Sequence, residues 1–196
     1  MIHHRLRVGL ALLVLPFVVA VSGCADKRDP LPDFNAVRFD EAQPIALDVG
    51  SIDVDGRYAP PNDPGHMDAG MVLPPAEAAR RWARQRLTTA GIGGSAAFVI
   101  NVATVTEKPL ALTDGIRGAF TTEAAYEFTA VIDAQLELRH GGPRPPTTVR
   151  ATATASRTAR EGLTYEQRQR VYFDLVRDLM SSFDTEMSAS LQRIAG

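Results

Sequence analysis

Residues 164–194 carry one apolar stripe: Tyr172, Leu175, Val176, Leu179, Phe183, Met187, Leu191 and Ile194 recur at helical spacing. Thr164-Tyr-Glu-Gln167 opens the stretch as a capping box, in which the threonine and glutamine side chains satisfy backbone donors reciprocally. Such a helix is about 45 Å long at 1.5 Å per residue. Its stripe needs a surface of matching length, which strands of about 13 residues at 3.3 Å each can supply.

The sequence contains such strands. Tyr126, Phe128, Ala130, Ile132, Ala134, Leu136 and Leu138 alternate with Glu127, Thr129, Asp133, Gln135 and Glu137, and Val131 is the only apolar intruder. One face of this strand is core and the other is wet. After the turn at residues 140–146, Val149, Ala151, Ala153 and Ala155 alternate with Arg150, Thr152, Thr154 and Ser156. Alanines on the buried side leave room for a helix to approach closely. Residues 96–106 are apolar on both sides in their first half, as an interior strand reads.

Upstream, Ile45, Ala46, Leu47 and Val49, then Ile52 and Val54, predict a first strand whose alternation shifts near Gly50, as at a bulge. A loop rich in proline and glycine follows to residue 73. Pro74 and Pro75 then open a helix over residues 76–90, with Ala79, Trp82, Ala83 and Leu87 inward, Arg80, Arg81 and Arg84 outward, and Gly91 as its stop. The order is β-α-β-β-β-α. It predicts an α+β two-layer sandwich: a four-stranded mixed sheet with two helices on one face, the first helix crossing over between parallel strands.

The N-terminus reads differently. Arg5 and Arg7 precede an uncharged apolar run over residues 8–21, which is too short to remain as a transmembrane helix and suits a cleaved export signal. Val21-Ser-Gly-Cys24 follows and resembles the bacterial lipobox, which implies cleavage after residue 23 and acylation of Cys24. Cys24 is also the single cysteine of the chain. The expected organisation is a signal peptide at 1–23, acylated Cys24 with a tether to residue 43, and one periplasmic domain at 44–196. Phe34, Val37 and Phe39 give that tether the alternative of docking on the fold. Two or more acyl chains suffice for stable anchoring, so the membrane is the first expected partner. Ala25 follows the cysteine where an aspartate would signal inner-membrane retention, so the outer membrane is expected over the inner. Loss of Arg5 and Arg7 lowers Lys+Arg from 21 to 19 against 23 Asp+Glu, a balance that argues against nucleic acid as a partner.

Lipobox and element order together resemble a group of small Gram-negative envelope lipoproteins: the lipopolysaccharide-assembly lipoprotein and the auxiliary lipoproteins of lipid-transporting ABC systems. The resemblance implies a non-catalytic accessory or assembly component acting with an envelope protein partner or lipid. It carries no binding residue over to this chain.

The chemistry-bearing residues agree with a non-catalytic role. His66 and His140 stand among glycines and prolines with no neighbouring ligand pattern, so no metal or other cofactor is expected. Asp53-Val-Asp55-Gly56 lacks the register of a calcium loop and reads as a strand entering a turn. Gly91-Ile-Gly-Gly94 precedes a strand, the reverse of a phosphate-binding order. No catalytic residue is assigned; Glu127, Asp133 and Glu137 remain as carboxylates on a wet strand face, the only route to a hydrolase. A lipid or small-ligand binder is the alternative, with Arg80, Arg81 and Arg84 meeting anionic head groups and an apolar gap between helices and sheet holding acyl chains. The candidate partner site is the connection at 108–122, longer than a meander needs, with Leu110, Leu112, Ile116 and Phe120 exposed to a partner or folded back as a flap.

Overall fold

The computed structural model of the protein describes residues 30–39, 41–110 and 124–195. Its strands are β1 (Ile45–Leu47), β2 (Ile52–Val54), β3 (Leu87–Thr89), β4 (Gly94–Pro109), β5 (Tyr126–His140) and β6 (Thr147–Ala159); its α-helices are α1 (Pro75–Arg86) and α2 (Tyr165–Ala195). The main sheet runs β2-β4-β5-β6, with β2 parallel to β4 and the other pairs antiparallel. α1 packs on β4, α2 packs on β6 and β5, and the helices touch each other. The fold is the expected α+β sandwich, with a second sheet of β1 and β3 added.

That small sheet corrects two expectations. The first strand is two strands, because the chain bends at Val49 and Gly50 and only the second half joins the main sheet. α1 stops at Arg86, and Leu87, Thr88 and Thr89 pair in parallel with Ile45, Ala46 and Leu47. Leu87 is buried all the same, so its apolar character said where it goes but not in which element.

β4 explains its two apolar faces by a bulge. Register shifts between Ile100 and Val102, so Ala96, Phe98 and Ile100 point inward before it and Ala103 and Val105 after it. Val102 is left exposed. Tyr58 helps hold the irregularity, its hydroxyl oxygen accepting from Ala103 N–H at 3.0 Å.

β5 and α2 follow their patterns closely. Every second β5 residue, from Phe128 to Leu138, is buried, and the residues between are half-buried. The capping box forms in both directions, Gln167 N–H donating to Thr164 Oγ1 and Thr164 N–H to Gln167 Oε1, each at 3.2 Å. The stripe is buried from Tyr172 to Leu191, with Met180 added, but Ile194 is exposed. Between the layers, Trp82, Phe98 and Phe183 meet with ring centroids 5.1–6.3 Å apart, and Phe128 stacks edge-on against Tyr172 at 5.2 Å. These rings lie between the helices and the sheet, where the lipid-binding alternative places acyl chains. Among the described residues no helix is long and apolar enough to cross a membrane.

Candidate docking cleft

The sheet has two ends, and the chain's chemistry differs between them. At one end, which we call the entry end, the described chain begins beside the N-terminal turns of α2. Pro30 O accepts from Arg170 Nη2 at 2.9 Å, Phe34 meets Phe173 edge-on at 5.7 Å, and Val37 is buried. Arg81 donates to Phe34 O at 2.6 Å, and Phe39 N–H donates to Gln85 Oε1 at 2.9 Å. The described part of the expected tether is thus docked along the helices.

Leu110 also lies at this end, half-buried, its N–H donating to Ala125 O at 2.8 Å. Leu112, Ile116 and Phe120 lie outside the described residues, as does Cys24.

At the other end, three loops are drawn together by glycine. Gly94 has φ +80°, and a Cβ there would lie 2.7 Å from Gly141 N; a Cβ on Gly91 would lie 2.6 Å from Asp48 Oδ1. Gly50 N–H donates to Gly93 O at 3.1 Å, joining the loop after β1 to the loop before β4. Ile92 stands fully exposed at the tip of these loops. The glycine-rich stretch is therefore a loop, as expected, although it follows β3 and not the helix.

Beside this tip opens a cleft of about 570 Å³. Residues 43–49, which contain β1, line it along their length, and the last turns of α2 contribute Ser188, Leu191, Gln192 and Ile194. Leu47, Val49, Leu138 and Leu191 give it a buried apolar lining, and half-exposed Ile194 adds to it. Arg144 Nη2 and Asp48 Oδ2 lie 3.7 Å apart, both well exposed. His140 is the last residue of β5 and lines the cleft instead of floating in a loop; its Nδ1 is buried without a partner.

Arg86 ties the cleft together. Buried at the end of α1, it donates from Nε to Asp184 Oδ1 at 2.7 Å, from Nη2 to Ser188 Oγ at 3.2 Å, and from Nη1 to Gln43 O. Trp82 Nε1 donates to the same Asp184 oxygen at 2.7 Å. One guanidinium thus joins the chain before β1 to α2, which suits its rigid fork of donors.

The other arginines of α1 are committed as well. Arg80 donates to Asp55 O at 3.1 Å and Tyr58 O at 2.6 Å, so with Arg81 it serves loop carbonyls. Arg84 pairs with Glu77 at 2.9 Å on the surface. They do not form a free cationic patch.

Elsewhere the polar groups are structural. Asp68 is buried and accepts from Thr104 Oγ1 at 2.5 Å and Val105 N–H at 3.2 Å, pinning the proline-rich loop to β4. His66 bridges Thr106. Asp55 accepts from Arg57 N–H at 2.8 Å, and that bond chiefly lowers its pKa; it caps a turn. Arg150 donates to Asp133 and holds its carboxyl below the usual range, which is opposite to what a general acid needs. Among the described residues no group of three or more His, Cys, Asp or Glu is placed to hold a metal ion.

A scan against protein-family models matches no family, and a search of curated proteins finds no match.

Proposed function

We propose that this chain is a lipid-anchored envelope lipoprotein, acylated on Cys24, which works without catalysis as an accessory that docks a partner in the cleft beside β1. The observation that carries the reading is the cleft's position. Pro30, where the described chain begins, is held by Arg170, and Ser188 in the cleft lies eighteen residues further along α2, about 27 Å at 1.5 Å per residue. Cys24 precedes Pro30 by six residues, which span at most about 20 Å. On this reading the anchor holds the entry end near the membrane, and the cleft at the other end is presented outward, across the periplasm.

The buried contacts of Trp82, Phe98, Phe128 and Phe183 between helices and sheet favour a protein partner over a lipid carried there. Asp133, paired to Arg150 and held deprotonated, supports the absence of hydrolysis from the wet face.

The reading is tested by placing a photo-crosslinking amino acid at Ile194 and, in a second strain, at Tyr165 of α2's first turn, both exposed. Discrete adducts in intact cells are expected from Ile194 and not from Tyr165. They should disappear with Cys24→Ser, which should also abolish labelling by a fatty-acid analogue. Persistent label on Cys24→Ser would overturn the anchor, and adducts from Tyr165 alone would overturn the site.

A further inference from the structure

β1 has one edge paired and one edge open. In a parallel pair, the N–H and C=O of one residue face the neighbour while those of the next face away. Ala90 N–H donates to Leu47 O at 2.8 Å and Gly91 N–H to Val49 O at 3.2 Å, so Leu47 and Val49 face the β3 side. Ala46 therefore directs its N–H and C=O to the opposite edge, and Asp48, already in the bend where Val49 N–H donates back to Leu47 O at 2.8 Å, turns its N–H to that side, opposite Leu47 O. No strand among the described residues pairs with that edge, and Ala46 is exposed.

The cleft lies along this edge. It touches residues 43–49 without a break and no residue of β3, and its lining includes Leu138 and Leu191. A strand edge offering alternating donors and acceptors beside an apolar trough is the arrangement by which an extended peptide adds as a further strand while every second side chain enters the trough. Pro44, which has no N–H, ends the edge on one side, and the bend that starts at Asp48 ends it on the other.

We infer that the cleft binds an extended apolar segment of a partner polypeptide by strand addition to β1, with backbone hydrogen bonds to Ala46 and to the N–H of Asp48. The inference rests on the docking role proposed above and names the occupant.

An acyl chain fits the occupancy poorly, because it would displace water from the Ala46 N–H and C=O and the Asp48 N–H without replacing those hydrogen bonds. The chain's own remaining segments fall short. Residues 24–29 reach at most about 20 Å from Pro30, against about 27 Å of helix between Arg170 and Ser188. Residues 111–123 leave from Leu110, paired near Tyr126, whereas His140 lies fourteen residues along β5, about 46 Å away at 3.3 Å per residue. Thirteen residues that must go out and return extend at most about 23 Å.

The test selects a phage-displayed library of random twelve-residue peptides on the full mature chain in detergent, then measures the best synthetic peptide by fluorescence anisotropy. Methylating its backbone nitrogens one at a time should weaken binding tenfold or more at every second position and less than twofold between. Ala46→Pro removes the N–H aimed at the cleft and none used by β3. It should weaken the peptide at least tenfold at an unchanged urea midpoint, and Ile194→Glu gives a second, surface variant expected to do the same. Binding indifferent to N-methylation would overturn strand addition. So would binding of palmitate, or of phosphatidylglycerol vesicles, with no peptide selected. Concentration-dependent self-association lost in Ala46→Pro would reassign the cleft to a second copy and overturn a foreign partner. Adducts at Ile194 in cells without any selected peptide would sink strand addition and leave docking standing; loss of both would sink both.

Discussion

The two ends of the sheet are closed by different means. At the entry end, long side chains reach across gaps: Arg168 pairs with Glu107 at 2.8 Å and lies over the Phe128 ring, while Arg170 holds Pro30. Backbone groups of Leu110 and Ala125 are paired there as well, Ala125 N–H donating to Ala159 O at 2.8 Å. At the cleft end, glycines bring backbone against backbone at residues 50, 91, 94 and 141. Glycine contacts position loops but cover nothing beyond themselves. The consequence is an end with fixed geometry and open surface, where Ile92 and Ile194 are exposed and no described strand pairs with one edge of β1. A rigid opening of this kind is what preorganised binding requires.

The comparison presumes that the ends belong to one cooperative body, and Phe183 tests that with the largest expected effect. Its ring touches Trp82 and Phe98 midway along α2, joining both helices to β4. Phe183→Ala should cost about 3–5 kcal/mol through lost burial and the cavity left behind. The urea transition should shift at both ends together, read from amide exchange at Ala125 and at Gly50, whose N–H groups donate to Ala159 O and Gly93 O. If the two sites separate, the ends are independent units and the contrast between them is not one of a single fold.

How far the sequence disclosed this arrangement follows from how local each signal is. β5, β6 and α2 were legible because their periods run over thirteen residues or more, long enough for phase to be unambiguous. β1 and β3 have three residues each, and Leu87 continues the helical phase of Trp82 and Ala83, so nothing apolar marks the end of α1. The paired Thr88 and Thr89 were the available hint, as β-branched residues favour strands. The bulge at Asn101 made β4 look apolar on two faces when only its register changes. Arg80 and Arg81 read as a solvated face because a sequence cannot show that their stems bend back to loop carbonyls.

The cleft was not legible. Residues 43–49, 138–144 and 188–194 are brought together only by the fold, and a site made of three distant segments leaves no spacing to read. Gly91, Gly94 and Gly141 were its one sequence trace, legible as loops but not as loops that meet. The candidate connection at 108–122 was singled out on length and composition, and its described residue Leu110 stands at the entry end, away from the cleft.

A mutation confined to the glycine tip sharpens the contrast with an intermediate effect. Gly94→Ala places a side chain at φ +80° against the backbone of residues 139–141, a strain of about 1–3 kcal/mol. Amide exchange should rise at residues 48–50 and 139–142 while Leu110 and Ala125 keep their protection, and the selected peptide should bind more weakly. Equal loosening at both ends would mean that glycine packing does not define the cleft end separately.

The smallest effect is a pH dependence expected at the entry end. Tyr172 packs on Phe128, and burial raises its pKa above the ordinary 10.0, with Arg168 opposing more weakly. The folded state therefore holds the phenol proton more tightly than the unfolded chain does. This contribution to stability is complete below pH 10, and it is lost as pH rises from there through the raised folded value. Tyr172→Phe removes the proton and keeps the ring, so comparing the two proteins cancels every other group that titrates in alkali. Wild type should lose more of its urea midpoint than the variant between pH 9 and pH 11. In the wild type alone, exchange at Leu110 and Ala125 should quicken over that range while Gly50 does not respond. Parallel pH profiles in the two proteins would remove Tyr172 as the cause. A response at Gly50 equal to that at Ala125 would show that the charge is felt through the whole body, and the two ends would then differ in how they are built but not in how they open.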